Sequence, residues 1–203
     1  GWEYIVQASY TRRKRQNVPD YALFADAKTK RKAYQSKTDD AKYAFALGVC
    51  DAKYWGRSLD AESKSDRRDA FTNANPSFQI INYLVGTDVA WGILTNGQVW
   101  RLYAQRVRSR TTTFFQVDLA AAIDSKDELA LCYFVTLFRR SAFQPDPHTS
   151  TSLLDRVLDE SARFAVTVQD ELEGLVFEQV APLIAQGFAQ WRKNEQAVTA
   201  ETP

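Results

Sequence analysis

An aspartate and a lysine two residues apart close the run Phe45 to Lys53, FALGVCDAK. The small and apolar residues from Phe45 to Cys50 suit a strand buried on both faces, so an abrupt charged ending is costly unless it is useful. Side chains two apart on a strand share a face, which puts the Asp51 carboxylate and the Lys53 ammonium in one pocket, roughly 6 to 7 Å apart at about 3.3 Å per residue. A carboxylate at the mouth of a buried strand can hold a hard divalent cation. A neighbouring lysine can orient or deprotonate a water and offset charge developing on a phosphate. Phosphodiester hydrolysis needs those components; two ordinary charges at a solvated strand end are the plainer alternative. An acid followed two residues later by lysine also occurs at Asp26/Lys28, Asp40/Lys42, Glu62/Lys64 and Asp124/Lys126, but only Asp51 follows an apolar strand.

The elements that must position this pair can be read along the chain. Trp2 to Tyr10 reads as a strand, TRRKRQN as a polar turn, and PDYALF, residues 19 to 24, as a second strand forming a hairpin with the first. Arg12, Arg13, Lys14 and Arg15 fall on that turn, just before Asp20; a charge run of this kind is ordinarily a solvated loop. Residues 26 to 43 read as one polar surface helix, followed by the central strand at 45 to 55. Asn75 then caps a helix with Pro76 at its first position and Gly86 at its end. Its expected core stripe is Phe78, Ile81 and Leu84 or Val85. Gln79 and Tyr83, four apart, share the adjoining face, where they are either solvent-facing or set to touch a phosphate and a base.

Residues 91 to 103 read as a hairpin turning on Asn96-Gly97 in a type I′ turn, with Trp91 opposite Leu102 and Ile93 opposite Trp100 as core pairs. A loop bearing Arg106, Arg108 and Arg110 leads into a further strand, TTTFFQVDL. Ser125 and Glu128 form a capping-box pattern before the helix ELALCYFVTLFRR. After the break FQPDPHTSTS, apolar residues every three to four positions predict one or two long helices, with Pro182 as a kink.

Composition bounds the rest. A chain of 203 residues can bury a full core and suits one domain with a helical appendage. No apolar run is long enough to cross a membrane and no signal peptide opens the chain, so a cytoplasmic protein is expected. Cys50 and Cys132 lie in apolar runs and are expected to be buried free thiols. The single histidine, His148, excludes a serine-histidine triad and a multi-histidine zinc site. The absence of methionine points to a segment of a longer polypeptide. Residues 1 to 110 hold 19 Lys and Arg against 11 Asp and Glu, a balance of +8, and the remainder holds 7 against 14, a balance of −7. A basic first half suits a polyanionic partner.

Taken in order, Pro19-Asp20 opening one strand, Asp51-Ala52-Lys53 ending the next, and Gln79 with Tyr83 on the following helix resemble the PD-(D/E)xK nuclease superfamily with its Q-x-x-x-Y element. With WGILTNGQVWRLY after that helix, residues 4 to 118 look like the amino-terminal nuclease domain of type IIG restriction-modification enzymes, and are similar to the nuclease of type I restriction motor subunits. The resemblance implies an α/β, restriction-endonuclease-like fold: a mixed central sheet with flanking helices, residues 1–143, and a C-terminal helical extension, residues 144–203, toward a missing domain.

It implies that Asp20, Asp51 and the Ala52 carbonyl bind Mg²⁺, or Mn²⁺ in its place, that Lys53 acts on the attacking water, and that Gln79 and Tyr83 assist. The implied function is DNA endonuclease activity in restriction-modification or phage defence. The implied partners are double-stranded DNA, met by Arg12, Arg13, Lys14, Arg15, Arg106, Arg108 and Arg110, and further domains such as a methyltransferase and a target-recognition domain; no membrane is involved. The rival readings are a catalytically inactive nuclease-fold module that binds nucleic acid, and a helical assembly scaffold. Relatives in this superfamily usually carry a helix, often with another acid, before the first strand; here the chain starts at the strand and leaves Glu3 unassigned.

Overall fold

The computed structural model describes residues 1–12, 15–60, 75–107 and 109–200, apart from the side chains of residues 12, 15–16 and 194–200. In chain order the elements are β1 (Glu3–Val6), β2 (Tyr10–Arg12), β3 (Arg15–Asn17), β4 (Tyr21–Phe24), α1 (Ala27–Gln35), α2 (Asp39–Tyr43), β5 (Ala46–Ala52) and α3 (Pro76–Thr87). There follow β6 (Trp91–Thr95), β7 (Val99–Ala104), β8 (Phe114–Asp118), α4 (Leu119–Asp124), α5 (Glu128–Phe138), α6 (Arg140–Phe143) and α7 (Leu153–Leu175). A π-helical turn, Val176–Val180, joins α7 to α8 (Ala181–Ala200).

The described residues form a mixed six-stranded sheet in the order β1-β4-β5-β6-β7-β8. Only β5 and β6 run parallel, and α3 lies in the crossover between them. The alternation of β5 divides the core. Val49 points into a cluster with Ile80, Tyr83, Leu84, Leu94 and Tyr103, beneath α3. Cys50, on the other face, lines a cavity of about 610 Å³ with Leu23, Ile93, Trp100, Phe134 and Phe138. Gly92 lets α3 approach closely, since a Cβ there would stand 3.0 Å from Ile80 Cγ1.

Several local expectations are corrected. β1 does pair antiparallel with β4, Val6 facing Tyr21, but the connection is a second, two-stranded sheet of β2 and β3, preceded by Gln7 at φ +48°. Residues 26–43 make two helices because Asp26 and Thr38 each cap a separate start. The hairpin turns on Gly97-Gln98, one residue later than expected, with only Gly97 at positive φ and the Asn96 N–H bonded to the Val99 carbonyl, so Trp91 pairs with Ala104 and Ile93 with Leu102. The Asn96 carboxamide accepts from the Gln98 and Val99 backbone and holds the displaced turn. A slip of two residues preserves which face each side chain takes. Trp91 is buried against Phe143, and the half-buried Trp100 packs edge-on to Phe134 and Phe138, so both serve packing.

α3 runs past Gly86 to Thr87 and stops at Asp88, which takes the left-handed conformation itself. α5 is capped by Asp127, because Ser125 ends the preceding α4. Cys50 is buried as expected, but Cys132 is exposed on α5. Pro182 sits just inside α8; lacking an N–H and crowding the carbonyl four residues back, it accounts for the π-helical turn before it.

The chain divides into two compact units, Gly1–Leu154 and Asp155–Pro203, with the division later than residue 143. The second unit is helical and leaves large apolar side chains exposed, among them Phe164, Phe177, Leu183, Phe188 and Trp191. No helix among the described residues is long and apolar enough to cross a membrane.

Candidate active site

The C-terminal ends of the parallel pair β5 and β6 lie side by side, Ala52 facing Thr95, and β4 starts at the same end, Tyr21 facing Cys50. Asp20 therefore comes abreast of the end of β5, and its Oδ2 accepts from the Ala52 backbone N–H at 2.7 Å. Pro19 before it is fully buried, which fixes the entry of the chain into β4. Asp51 is 1% exposed. A buried carboxylate must be partnered, and the Lys53 ammonium stands 2.9 Å from its Oδ2. The Lys53 N–H is held in turn by the Thr95 carbonyl at 2.7 Å, which extends the β5–β6 ladder one residue beyond the strand.

α3 completes the site, on a face that differs from the expected one. Its buried stripe is Ile80, Tyr83 and Leu84 together with Gln79, whereas Phe78 and Val85 are exposed and Ile81 is half-buried. The rotation is possible because Gln79 and Tyr83 are satisfied inside. Lys53 Nζ donates to Gln79 Oε1 at 2.7 Å, Gln79 Nε2 donates to the Tyr83 hydroxyl at 2.8 Å, and that hydroxyl donates to the Val18 carbonyl at 3.1 Å. A continuous polar chain thus runs from Asp51 through Lys53, Gln79 and Tyr83 to the segment carrying Asp20. The solvent-facing alternative for Gln79 and Tyr83 does not hold.

Electrostatics agree with this convergence. The Tyr83 phenol is pushed well above its ordinary pKa, first by burial and then by the negative charges of Asp51 and Asp20. The Cys50 thiol is raised for the same reasons. Both carboxylates act on the same two groups, so they lie at one end of the sheet and not merely on adjacent strands.

Behind the site, Arg101 on β7 is buried and fixes the start of α3. It donates to Asp60 Oδ2 at 2.7 Å, to Ser77 Oγ at 3.1 Å and to Gln116 Oε1 at 2.7 Å, with its guanidinium 4.4 Å from the Phe114 ring centre. The Ser77 hydroxyl also donates to the Leu59 carbonyl at 2.8 Å. The sequence reading passed over Arg101; a charged residue in the middle of an apolar hairpin strand was the signal for it. It also passed over Tyr54 and Trp55, exposed directly after Lys53.

The donor set suits a hard cation. Asp20, Asp51 and the Ala52 carbonyl offer oxygen alone, and Mg²⁺ is commonly held by one or two carboxylates with waters and a substrate phosphate completing its shell. Among the described residues no group of three or more His, Cys, Asp and Glu is placed to hold a metal, so the protein's own contribution would be partial.

Other candidate residues stand apart. Arg106 and Arg110 follow the end of β7 that pairs with Trp91, the opposite end of the sheet from Ala52 and Thr95, so they do not flank Asp51; Arg110 donates to the Gln105 carbonyl. Arg13, Lys14 and Arg108, and the side chains of Arg12 and Arg15, lie outside the described residues, as do Glu62 and Lys64. The β2–β3 hairpin itself emerges at the site end, where Tyr10 packs edge-on to Tyr83 and donates to the Asn82 carbonyl at 3.2 Å. Glu3 faces Phe24 at the far end of β4 and pairs with Lys30 at 3.3 Å. Asp26 caps α1, and Asp40 and Asp124 are exposed. Comparison with protein-family models, with curated proteins and with solved structures gives no match.

Proposed function

We propose that the first unit is a restriction-endonuclease-like, PD-(D/E)xK nuclease domain that hydrolyses DNA phosphodiester bonds with Mg²⁺ or Mn²⁺, within a larger restriction-modification or phage-defence enzyme. The observation that carries this reading is the polar chain Asp51–Lys53–Gln79–Tyr83 at the end of the central strand, with the Asp20 carboxylate on the next backbone N–H. A buried acid, a buried lysine and an amide rarely share one strand end without a task.

Asp20, Asp51 and the Ala52 carbonyl would hold the cation. When bound, it would supply Lewis-acid stabilisation of the phosphoryl oxygens and a more acidic water. Lys53 orients the water and balances charge on the phosphate; Gln79 fixes the direction of the ammonium by accepting a hydrogen bond from it. Tyr83, kept neutral by its surroundings, holds Gln79 in the orientation that leaves Oε1 toward Lys53. The ion pair with Asp51, at 2.9 Å, and the Gln79 amide together aim the ammonium at the site.

Supercoiled plasmid incubated with the full chain and Mg²⁺ or Mn²⁺ should be nicked and linearised, and EDTA or Lys53→Ala should prevent it. Plasmid left intact by folded protein with saturating Mn²⁺ would contradict the reading. Binding should weaken steeply with salt, as phosphate contacts require. The exposed apolar face of the second unit supports a second role in assembly with further domains, which is compatible with the first.

A further inference from the structure

Directly after Lys53 the chain places two aromatic residues in solvent: Tyr54 is 54% exposed and Trp55 is 68% exposed. An indole this open is unusual, because Trp is among the most buried side chains on average. Nor is it loosely held. Lys53 N–H is bonded to the Thr95 carbonyl on one side of the pair, and on the other the Arg57 carbonyl accepts from the Asn96 carboxamide at 2.8 Å in a buried contact. Arg57 N–H closes the turn onto the Tyr54 carbonyl at 3.1 Å, through Gly56 at φ +78°.

The turn between β6 and β7 provides a seat for the ring. Gly97, at φ +84°, lies under the six-membered ring of Trp55: a Cβ there would come within 3.0 Å of Cε3 and 3.3 Å of Cζ3. A side chain there would push the ring outward by a few tenths of an ångström, and the positive φ favours glycine on conformational grounds as well. The indole is therefore seated at one place while most of its surface remains open.

We infer that Trp55, flanked by Tyr54, is a stacking platform for an unstacked nucleobase next to the phosphate that reaches Lys53. The inference rests on the nuclease reading of that site. Trp55 is two residues beyond Lys53, at most about 7 Å of chain. A base is joined to its phosphate through a single sugar, so a phosphate at Lys53 puts the base of its own or an adjoining nucleotide within reach of the ring. A flat, uncharged, preformed face beside a cationic phosphate contact is what sequence-tolerant recognition of single-stranded or locally opened nucleic acid uses. Stacking requires a free base face, so the ligand is a base displaced from the duplex and not one held in its stack.

The test is fluorescence anisotropy of the full chain with a labelled single-stranded oligothymidylate of about 12 nucleotides, within the range of known single-strand sites. A second probe of equal length carries abasic residues at its centre. Measurements are made at low salt with EDTA, so that they do not depend on cleavage. Trp55→Ala should weaken binding of oligothymidylate about fivefold or more and leave the abasic probe unchanged, while Trp55→Phe, which keeps an aromatic face, should stay within about threefold of wild type. Equal affinity of wild type and Trp55→Ala for oligothymidylate, or an equal loss on both probes, would overturn the inference while leaving the nuclease reading intact. Failure of the wild-type chain to bind either probe would also overturn the inference, while the nuclease reading stands or falls separately on plasmid cleavage with Mn²⁺.

Discussion

Lys53 and Gln79 meet in a hydrogen bond of 2.7 Å that joins the residue just past β5 to the first turn of α3. One amide accepts from the ammonium and donates to the Tyr83 hydroxyl, so it fixes two groups at once. Gln79→Ala should leave Lys53 with Asp51 and Tyr83 with the Val18 carbonyl but remove the link between them. The expected cost is about 1–3 kcal/mol of folding stability, as for a buried polar partner lost, read as a lower midpoint in urea. Cleavage should fall with it. An unchanged midpoint would mean the bridge carries no weight in the fold.

The raised pKa of Tyr83 makes an alkaline prediction. A phenol whose proton is held more tightly in the folded state than in the unfolded chain adds stability that is fully present below the unfolded value, about 10, and is lost as pH rises above it. Melting temperature should therefore drop between about pH 10 and 11, and Tyr83→Phe should make the drop shallower. Tyr43 is shifted in the same direction by burial, so the variant should reduce the slope without abolishing it. Identical slopes for variant and wild type would remove Tyr83 from the account.

How much of this was legible in the sequence follows from how local each signal is. Asp51 and Lys53 could be found because a strand's two-residue period fixes their common face, and burial of the strand shows in its composition. Asn75 and Pro76 marked the start of α3 because capping is a matter of three or four neighbouring atoms. The buried face of α3 was not legible. Phe78 and Val85 outrank Gln79 in hydrophobicity, and only the tertiary partners Lys53 and Val18 reverse the order. The hairpin register failed for a related reason: the Asn96 side chain caps the turn and moves it on to Gly97-Gln98, which placing Asn-Gly at the turn centre does not anticipate. The small β2–β3 sheet hid inside a charge run that reads as a loop.

The second unit should associate. Phe164, Phe177, Phe188 and Trp191 are each more than half exposed, a larger apolar surface than a solitary helical segment keeps in water. Light scattering during size-exclusion chromatography should give a mass above the 23.1 kDa of one chain, rising with concentration. Phe177→Lys with Phe188→Lys should return it to monomer. A wild-type chain that stays monomeric at every concentration and binds no hydrophobic dye would contradict an assembly role.

The central claim is that Asp51 and Asp20 together hold a divalent cation, and ligand linkage tests it without relying on catalysis. Thermal unfolding of the full chain is followed with and without saturating Mn²⁺ in wild type, Asp51→Ala and Asp40→Ala, each shift being taken within its own variant. A ligand at about 100 times its Kd stabilises by about 2.7 kcal/mol, which for a chain of this size is a rise of about 5 °C or more. Wild type and Asp40→Ala, whose acid is exposed on α2, should both show that rise, and Asp51→Ala should show none. A Mn²⁺-dependent shift that survives in Asp51→Ala, or its absence from wild type, would contradict the metal site and the nuclease reading built on it.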